Sequence, residues 1–252
     1  MYSIERLDKI VEILKQRKSI SVSKLCDMLF ISPATARRDL TALEKKGVIR
    51  RTFGGAVLVE SNNEEGPIIL RDQTMIRAKR YMCEKASEFI RNGQALFLDS
   101  SSTVSNLVPF LNDFRYLTFI TNGLNVATAL TQNTNFKVTL LGGEILTRSN
   151  STVGPVAEDD VRRFFCDIAI FSCTAIDLHG GVSEGSVETS AIKRIMMERS
   201  DVKILVADCT KFGQNALSKT ADVKDFDIII TDERPNDAFV HYCDEHSIRL
   251  LY

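Results

Sequence analysis

Apolar positions near the front of the chain recur at helical spacing. Ile4, Leu7, Val11 and Leu14 make one stripe and predict a helix over about Ser3 to Gln16. A polar break, Arg17-Lys18-Ser19-Ile20, leads to Ser21 as an N-cap, and Val22, Leu25, Cys26 and Leu29 repeat as a second, shorter helix. Only Phe30 and Ile31 separate it from a third. Ser32 suits that helix's N-cap, Pro33 its first position, where no N–H is needed, and Gly47 its stop. Ala36, Leu40 and Leu43 fall on one side of it, and Ala34, Arg37, Arg38 and Thr41 on roughly the other. The periodicity then changes to two β-type runs, Val-Ile-Arg-Arg-Thr and Ala-Val-Leu-Val, around Gly54-Gly55, which predicts a hairpin.

Residues 60–71 are polar, acidic and interrupted by Gly66-Pro67, as a linker would be. Domain boundaries are therefore expected at 1–58, 59–71 and 72–252. A helix is predicted from about Asp72 to Asn92, and beyond it short, nearly continuous apolar runs alternate with amphipathic stretches. The runs are Ala95–Leu98, Leu117–Thr121, Lys137–Leu141, Ile168–Ser172, Lys203–Ala207, Asp227–Thr231 and Arg249–Leu251. The helices between them include Thr103–Leu111, Gly123–Thr131, Val187–Arg199 and Pro235–Glu245. Strands without polar alternation are covered on both faces, so the fold class is α/β with a mostly parallel sheet.

Composition sharpens this picture in one respect. The net charge of −1 conceals +6 over residues 1–58 and −7 over the remainder, so only the front is suited to a polyanion. There is no signal-peptide core and no long uncharged apolar run, which predicts a cytoplasmic protein with no membrane partner. The six cysteines contain no C-x-x-C pair and the three histidines no ligand spacing, so neither a structural metal nor a cofactor is expected.

Three helices and a basic hairpin make a winged helix-turn-helix. Two arginines near the N-terminus of the third helix oppose its macrodipole, and phosphates or guanine edges account for them better than helix stability does. The surface predicted to meet DNA is Ser32, Pro33, Ala34, Thr35, Arg37, Arg38 and Thr41, with Arg50 and Arg51 of the wing on backbone phosphates. Asp39 is expected to hold a neighbouring arginine in place. In the larger region, ligands bind beyond the carboxyl ends of parallel strands. Those ends carry Asp99 with the hydroxyl run Ser100, Ser101, Ser102 and Thr103, then Thr121-Asn122, Gly142-Gly143, Ser172 to Asp177, and Asp208 with Lys211. A hydroxyl-rich turn opening a helix suits a phosphate.

These residues resemble the DeoR family of bacterial transcription regulators. The pattern S-x-x-T-[IA]-R-R-D-L-x-x-L-[ED]-x-x-G, followed by a basic residue and a Gly-Gly wing turn, is met by Ser32, Thr35, Ala36, Arg37, Arg38, Asp39, Leu40, Leu43, Glu44, Gly47, Arg50, Arg51, Gly54 and Gly55. The family's later patterns L-D-S-G-T-T, T-N, L-x-G-G, D-x-x-F-x-G-x-x-G and A-D-x-[ST]-K-[FI]-G correspond to Leu98–Thr103, Thr121-Asn122, Leu140–Gly143, Asp167 onward and Ala207–Gly213. The resemblance implies a sensor domain related to ribose-5-phosphate isomerase and CoA-transferase-like folds, which binds a phosphorylated sugar or similar metabolite. On it, Asp99 would bind sugar hydroxyls, Ser100–Thr103 the phosphate, and Lys211 an anionic or carbonyl group. Three family glycines are replaced, by Ser101, Ser172 and Ala175, each adding a side chain where glycine permits close approach or positive φ.

The function expected is a sequence-specific DNA-binding regulator, a repressor of a carbohydrate operon modulated by a sugar phosphate. Two half-sites require a homodimer, or a homotetramer built from it, on double-stranded operator DNA. The alternative is a sugar-phosphate isomerase-like enzyme fused to a DNA-binding domain, with Glu188, Asp208 and Lys211 as candidates for the base and the oxyanion donor that isomerisation needs. No catalytic residues are assigned, because no activated nucleophile or metal constellation is legible.

Overall fold

The first helix is realised as α1 (Ser3–Arg17), the second as α2 (Val22–Leu29) and the third as α3 (Pro33–Lys45). This computed structural model describes residues 3–17, 19–45, 48–58, 68–71 and 74–252. The chain divides into two units, Met1–Asn62 and Asn63–Tyr252. In the first, Ser21 Oγ accepts from Lys24 N–H at 3.3 Å and caps α2, and Ser32 Oγ accepts from Thr35 N–H at 3.2 Å at the start of α3. Val11, Leu14, Leu25, Ala36, Leu40 and Leu43 are buried together, while Leu7 is half-buried. The side chain of Ile4, and Lys46 and Gly47, lie outside the described residues.

Between α1 and α2, where the pattern gave only a polar break, lies a strand. This β1 (Ser19–Ser21) pairs with β3 (Gly55–Leu58), which pairs in turn with β2 (Ile49–Thr52), so the hairpin becomes a sheet of order β1-β3-β2. The turn is Phe53-Gly54 rather than Gly54-Gly55, because Thr52 pairs with Gly55. Gly54 has φ +88°, and Gly55 serves another purpose: a Cβ there would lie 2.3 Å from the Ile20 carbonyl oxygen of β1. Only glycine allows that approach.

The second unit begins, in the described residues, with the short α4 (Ile68–Arg71) and α5 (Ile76–Ser87). The end of the expected linker is therefore helical. The helix expected from Asp72 starts later, after Met75 in the left-handed region (φ +53°), and Asp72 itself is not among the described residues. Next come β4 (Ala95–Leu98), β5 (Thr118–Thr121), α6 (Leu124–Asn133), β6 (Lys137–Leu140), β7 (Glu144–Leu146), β8 (Ser151–Val153), α7 (Pro155–Val161) and β9 (Cys166–Phe171). The chain continues through β10 (Ala175–Asp177), β11 (Gly181–Glu184), α8 (Val187–Glu198), β12 (Ser200–Val206), β13 (Ser218–Ala221), β14 (Ile228–Ile230), α9 (Asp237–Glu245) and β15 (Arg249–Leu251). The helix expected over Thr103–Leu111 is a 3-10 turn, Val104–Phe110, with Pro109 inside it lacking the N–H that an α-helix would use.

All seven strands predicted from apolar runs join one sheet, in the order β15-β14-β12-β9-β4-β5-β6, and every pairing in it is parallel. Alternate residues feed two cores. Leu96, Leu98, Phe119, Ile168, Ile170 and Ile204 pack against α5 and α6, and Phe97, Ile120, Ala169, Phe171 and Leu205 against α7, α8 and α9. From β4 the order runs one way through β5 and β6 and the other way through β9, β12, β14 and β15. The switch therefore falls between β4 and β9. In sheets of this kind that crevice holds the ligand.

Candidate functional site

In the first unit, α3 presents Ser32, Pro33, Ala34, Arg37 and Arg38 exposed, with Thr35 and Thr41 half-buried, while its opposite side is in the core. Asp39 is buried and takes two bonds from Arg6 of α1, Nε to Oδ2 at 2.5 Å and Nη2 to Oδ1 at 3.1 Å. The arginine held by Asp39 is thus Arg6 and not a neighbour on α3. The pair fixes how α3 is rotated, so that Arg37 and Arg38 stand outward. Arg51 is tied to the same helix: its amide donates to Glu44 Oε1 at 2.9 Å and its guanidinium to Thr41 Oγ1 at 3.2 Å. Arg50 is exposed beside it, and Phe53 at the wing tip is wholly exposed, a feature that the basic pattern gave no cause to single out.

In the second unit a cavity of about 80 Å³ opens at the switch point. The loop after β4 supplies Ser100, Ser101, Ser102 and Thr103, the end of β9 supplies Ser172 and Cys173, and the segment after β12 supplies Asp208, Thr210 and Lys211. Three strand ends expected on one rim therefore do meet. Among the described residues no group pairs the Lys211 ammonium.

Asp99 does not line this cavity; it is fully buried beneath it. Its Oδ1 accepts from Ser101 N–H at 2.9 Å, and its Oδ2 from Ser172 N–H and from the Lys193 ammonium, both at 2.8 Å. Lys193 of α8 also donates to Glu184 Oε1 at 2.6 Å and to the Ser172 carbonyl at 2.7 Å. Burial would push this lysine's pKa down, but the carboxylates of Asp99 and Glu184 more than reverse it and hold the ammonium well above its ordinary range. A bracket of one cation and two carboxylates thus joins β4, β9, β11 and α8 beneath the hydroxyl loop.

Thr121, Asn122, Gly142 and Gly143 lie on the other side of the switch and do not line the cavity. Thr121 Oγ1 accepts from Gly123 N–H at 3.0 Å, and Asn122 Nδ2 donates to the Thr152 carbonyl at 3.0 Å. Gly142 N–H donates to Asp160 at 3.0 Å, and a Cβ on Gly143 (φ +122°) would lie 2.6 Å from the Val153 carbonyl oxygen. These positions secure β8 and α7 to the ends of β5 and β6. At the replaced glycines, Ser101, Ser172 and Ala175, φ is not positive, so the side chains are carried without backbone strain. Ser101 Oγ instead accepts from Val104 N–H at 3.1 Å, and Ser172 Oγ donates to Thr103 Oγ1 at 3.3 Å.

Sequence reasoning missed Arg71, Lys79, Ser149, Glu184, Thr189 and Lys193 of the cavity wall. A signal existed for two of them. Lys79 shares a stripe with Met82, Cys83 and Ala86, and Lys193 one with Thr189, Ser190 and Met197, so each lysine occupies a position the pattern assigns to the core. Of the groups considered for an enzyme, Asp208 and Lys211 reach the cavity and Glu188 does not; Glu188 is exposed and accepts from Ser186 Oγ at 2.7 Å. Cys83 and Cys173 adjoin the site, but burial pushes both thiols up, away from the nucleophilic thiolate. Away from the cavity, Cys209, Asp232 and Glu233 bring ligand-type atoms within 4.8 Å of one another. There Asp232 accepts from the Cys209 amide at 2.7 Å, and burial, then the nearby carboxylates, raise the thiol's pKa.

Residues 6–62 match the DeoR-like helix-turn-helix domain, and residues 74–233 match the DeoR C terminal sensor domain. The chain belongs to the DeoR family. Similar DeoR-type relatives span nearly its whole length. An uncharacterized HTH-type transcriptional regulator of Bacillus subtilis, YulB, is 34% identical over 99% of this chain and 96% of its own. The glycerol-3-phosphate regulon repressor of Escherichia coli is 32% identical over 99% of both chains. Among solved structures, ribose 5-phosphate isomerase from Plasmodium falciparum aligns with 57% of this chain and 55% of its own, at 17% identity and a TM-score of 0.42. The protein is a DNA-binding transcription regulator that joins a winged helix-turn-helix to a parallel α/β sensor domain. Among the described residues no helix is long and apolar enough to cross a membrane.

Proposed function

We propose that the protein is a cytoplasmic repressor of a carbohydrate operon, released or modulated by a phosphorylated sugar or related polyol phosphate held in the switch-point cavity. The observation that carries the reading is Lys211, whose ammonium has no partner among the described residues and which shares the cavity wall with the hydroxyls of Ser100–Thr103. A phosphoryl group satisfies both at once, through charge-assisted hydrogen bonds to lysine and neutral ones to the hydroxyls. Asp99 serves as the bracket that shapes the loop rather than as a direct contact. Arg37, Arg38 and the exposed start of α3 read base edges, with Arg50 and Arg51 on flanking phosphates. Two such units on a palindromic site make the working species a homodimer, or a homotetramer of paired dimers.

On this reading the sensor binds without turnover: burial pushes the thiol in its wall, Cys173, up and away from the nucleophilic thiolate, and Glu188 lies elsewhere. Repression agrees with the printed name of the Escherichia coli relative, a glycerol-3-phosphate regulon repressor. The test is thermal unfolding of the full chain with phosphorylated sugars, glycerol 3-phosphate, and their unphosphorylated counterparts. A ligand at 100 times its Kd adds about 2.7 kcal/mol, a shift of roughly 5–10 °C for a unit of this size. Stabilisation by phosphorylated compounds alone, lost in Lys211→Ala, supports the placement. Stabilisation unaffected by Lys211→Ala puts the effector elsewhere, and product formation from the bound compound makes the protein an enzyme.

A further inference from the structure

We infer that Arg71 is a ligand-binding residue of the cavity and that Lys79 positions it, so that an anion held there fastens α4. The inference rests on the cavity being the effector site. A helix of four residues has no stability of its own, so the place of α4 depends on what it touches. Ile68 is buried, and its amide donates to the Arg148 carbonyl at 3.0 Å. At the other end, Arg71 lines the cavity beside Thr74 and Met75.

The Arg71 carbonyl oxygen accepts from Thr74 N–H at 3.2 Å, from Thr74 Oγ1 at 3.0 Å and from the Lys79 ammonium. Three donors on an oxygen with two lone pairs pin that carbonyl firmly. Lys79 is itself buried, and its ammonium also donates to Ser102 Oγ at 2.9 Å. One side chain therefore links the wall made by α4 to the hydroxyl loop that faces the anion. A phosphoryl group seated between Ser100–Thr103 and Lys211 presents oxygens to the Arg71 guanidinium, whose planar fork binds such oxygens in pairs. The chain preceding α4 leads to the DNA-binding unit. Occupancy of the cavity thus sets how firmly the entry point of that chain is held, which gives the effector a differential contact from which regulation can follow.

Hydrogen exchange of the full chain, read by mass spectrometry with inorganic phosphate or glycerol 3-phosphate against chloride at matched ionic strength, tests this. Exchange is expected to slow in peptides over 68–75 and 99–105 together. Lys79→Met should leave protection at 99–105 at saturating anion while 68–75 exchange as in the unliganded protein, and Lys79→Arg should restore the coupling. Arg71→Ala should weaken anion binding about tenfold, the loss of one charge-assisted contact, and Arg71→Lys should recover part of it. Should Lys79→Met fail to fold, Arg71→Ala carries the test alone. Protection at 99–105 without 68–75 overturns the inference and leaves the cavity reading standing. Protection nowhere with either anion overturns both.

Discussion

Each unit contains a buried carboxylate that its sequence motif places beside the candidate functional residues, and in each the carboxylate turns inward. Asp39 is held by Arg6 from another helix, behind a surface that exposes Arg37 and Arg38. Asp99 is held by Lys193 from another helix, beneath a cavity lined by its neighbours Ser100–Thr103. The difference lies in what the brackets orient. The first holds one rigid helix whose outer face is already complete, so a single ion pair suffices. The second must register a loop against the ends of two strands and a small sheet, and it recruits Glu184, the Ser172 backbone and the Ser101 amide as well. A convex reading surface needs rotation fixed; a concave one needs several chain segments fixed at once.

Removing the cation separates the brackets most strongly. Lys193→Met strands Asp99 and Glu184 together and should cost the sensor transition about 3–5 kcal/mol in urea unfolding, against a smaller loss in the first unit for Arg6→Met. Equal losses would mean that the two pairs do the same job. Next in size, Arg37→Ala and Arg38→Ala should each weaken binding to DNA selected from a random pool by about 1–3 kcal/mol, roughly ten- to a hundredfold, with an unchanged thermal midpoint. A fall in the midpoint would show that the outward face also supports the fold. Ser32→Ala removes the cap of α3 and should destabilise the first unit by about 1 kcal/mol, with the sensor transition unmoved. The smallest effect is acid sensitivity at Asp177, whose carboxylate is held below its usual range by the amides of Gly180 and His179. A lowered folded-state pKa contributes stability above the unfolded value of about 3.9, lost as pH falls below it, so Asp177→Ala should flatten the sensor's pH dependence there. An unaltered slope would remove this turn from the account.

What could be read from the pattern follows the same division. The central strands of the main sheet were legible because burial on both faces removes polar alternation, and Ala95–Leu98 begins and ends where its apolar run does; the edge strands Lys137–Leu140 and Arg249–Leu251, partly exposed, were legible from their apolar runs alone. The strands β1, β7, β8, β10, β11 and β13 were not, since each is three or four residues long, many of them polar. Ser19–Ser21 becomes a strand only because Gly55 lets it approach. Which residues α3 exposes was legible for a local reason, because helical spacing alone decides which side of the helix they occupy. The cavity was half legible: hydroxyls after β4 and Lys211 after β12 follow from the strand-end rule, whereas Thr121, Asn122, Gly142 and Gly143 obey it and still miss the cavity. Strand order decides that, and no local pattern encodes strand order. Lys79 and Lys193 were not singled out, because a charged residue on a helix is usually solvated and only their place on the buried stripe marks them as different.

The parallel sheet also carries a timetable. Its central pair, β4 and β9, joins Leu96 to Ile168 and Phe97 to Ala169, and the edge at β15 joins Ile230 to Leu251. Contacts this distant form slowly, and they cannot form before synthesis has delivered them. The helices and wing of the first unit close over contacts within 58 residues. During each round of translation a finished DNA-reading head therefore emerges well ahead of the domain that governs it.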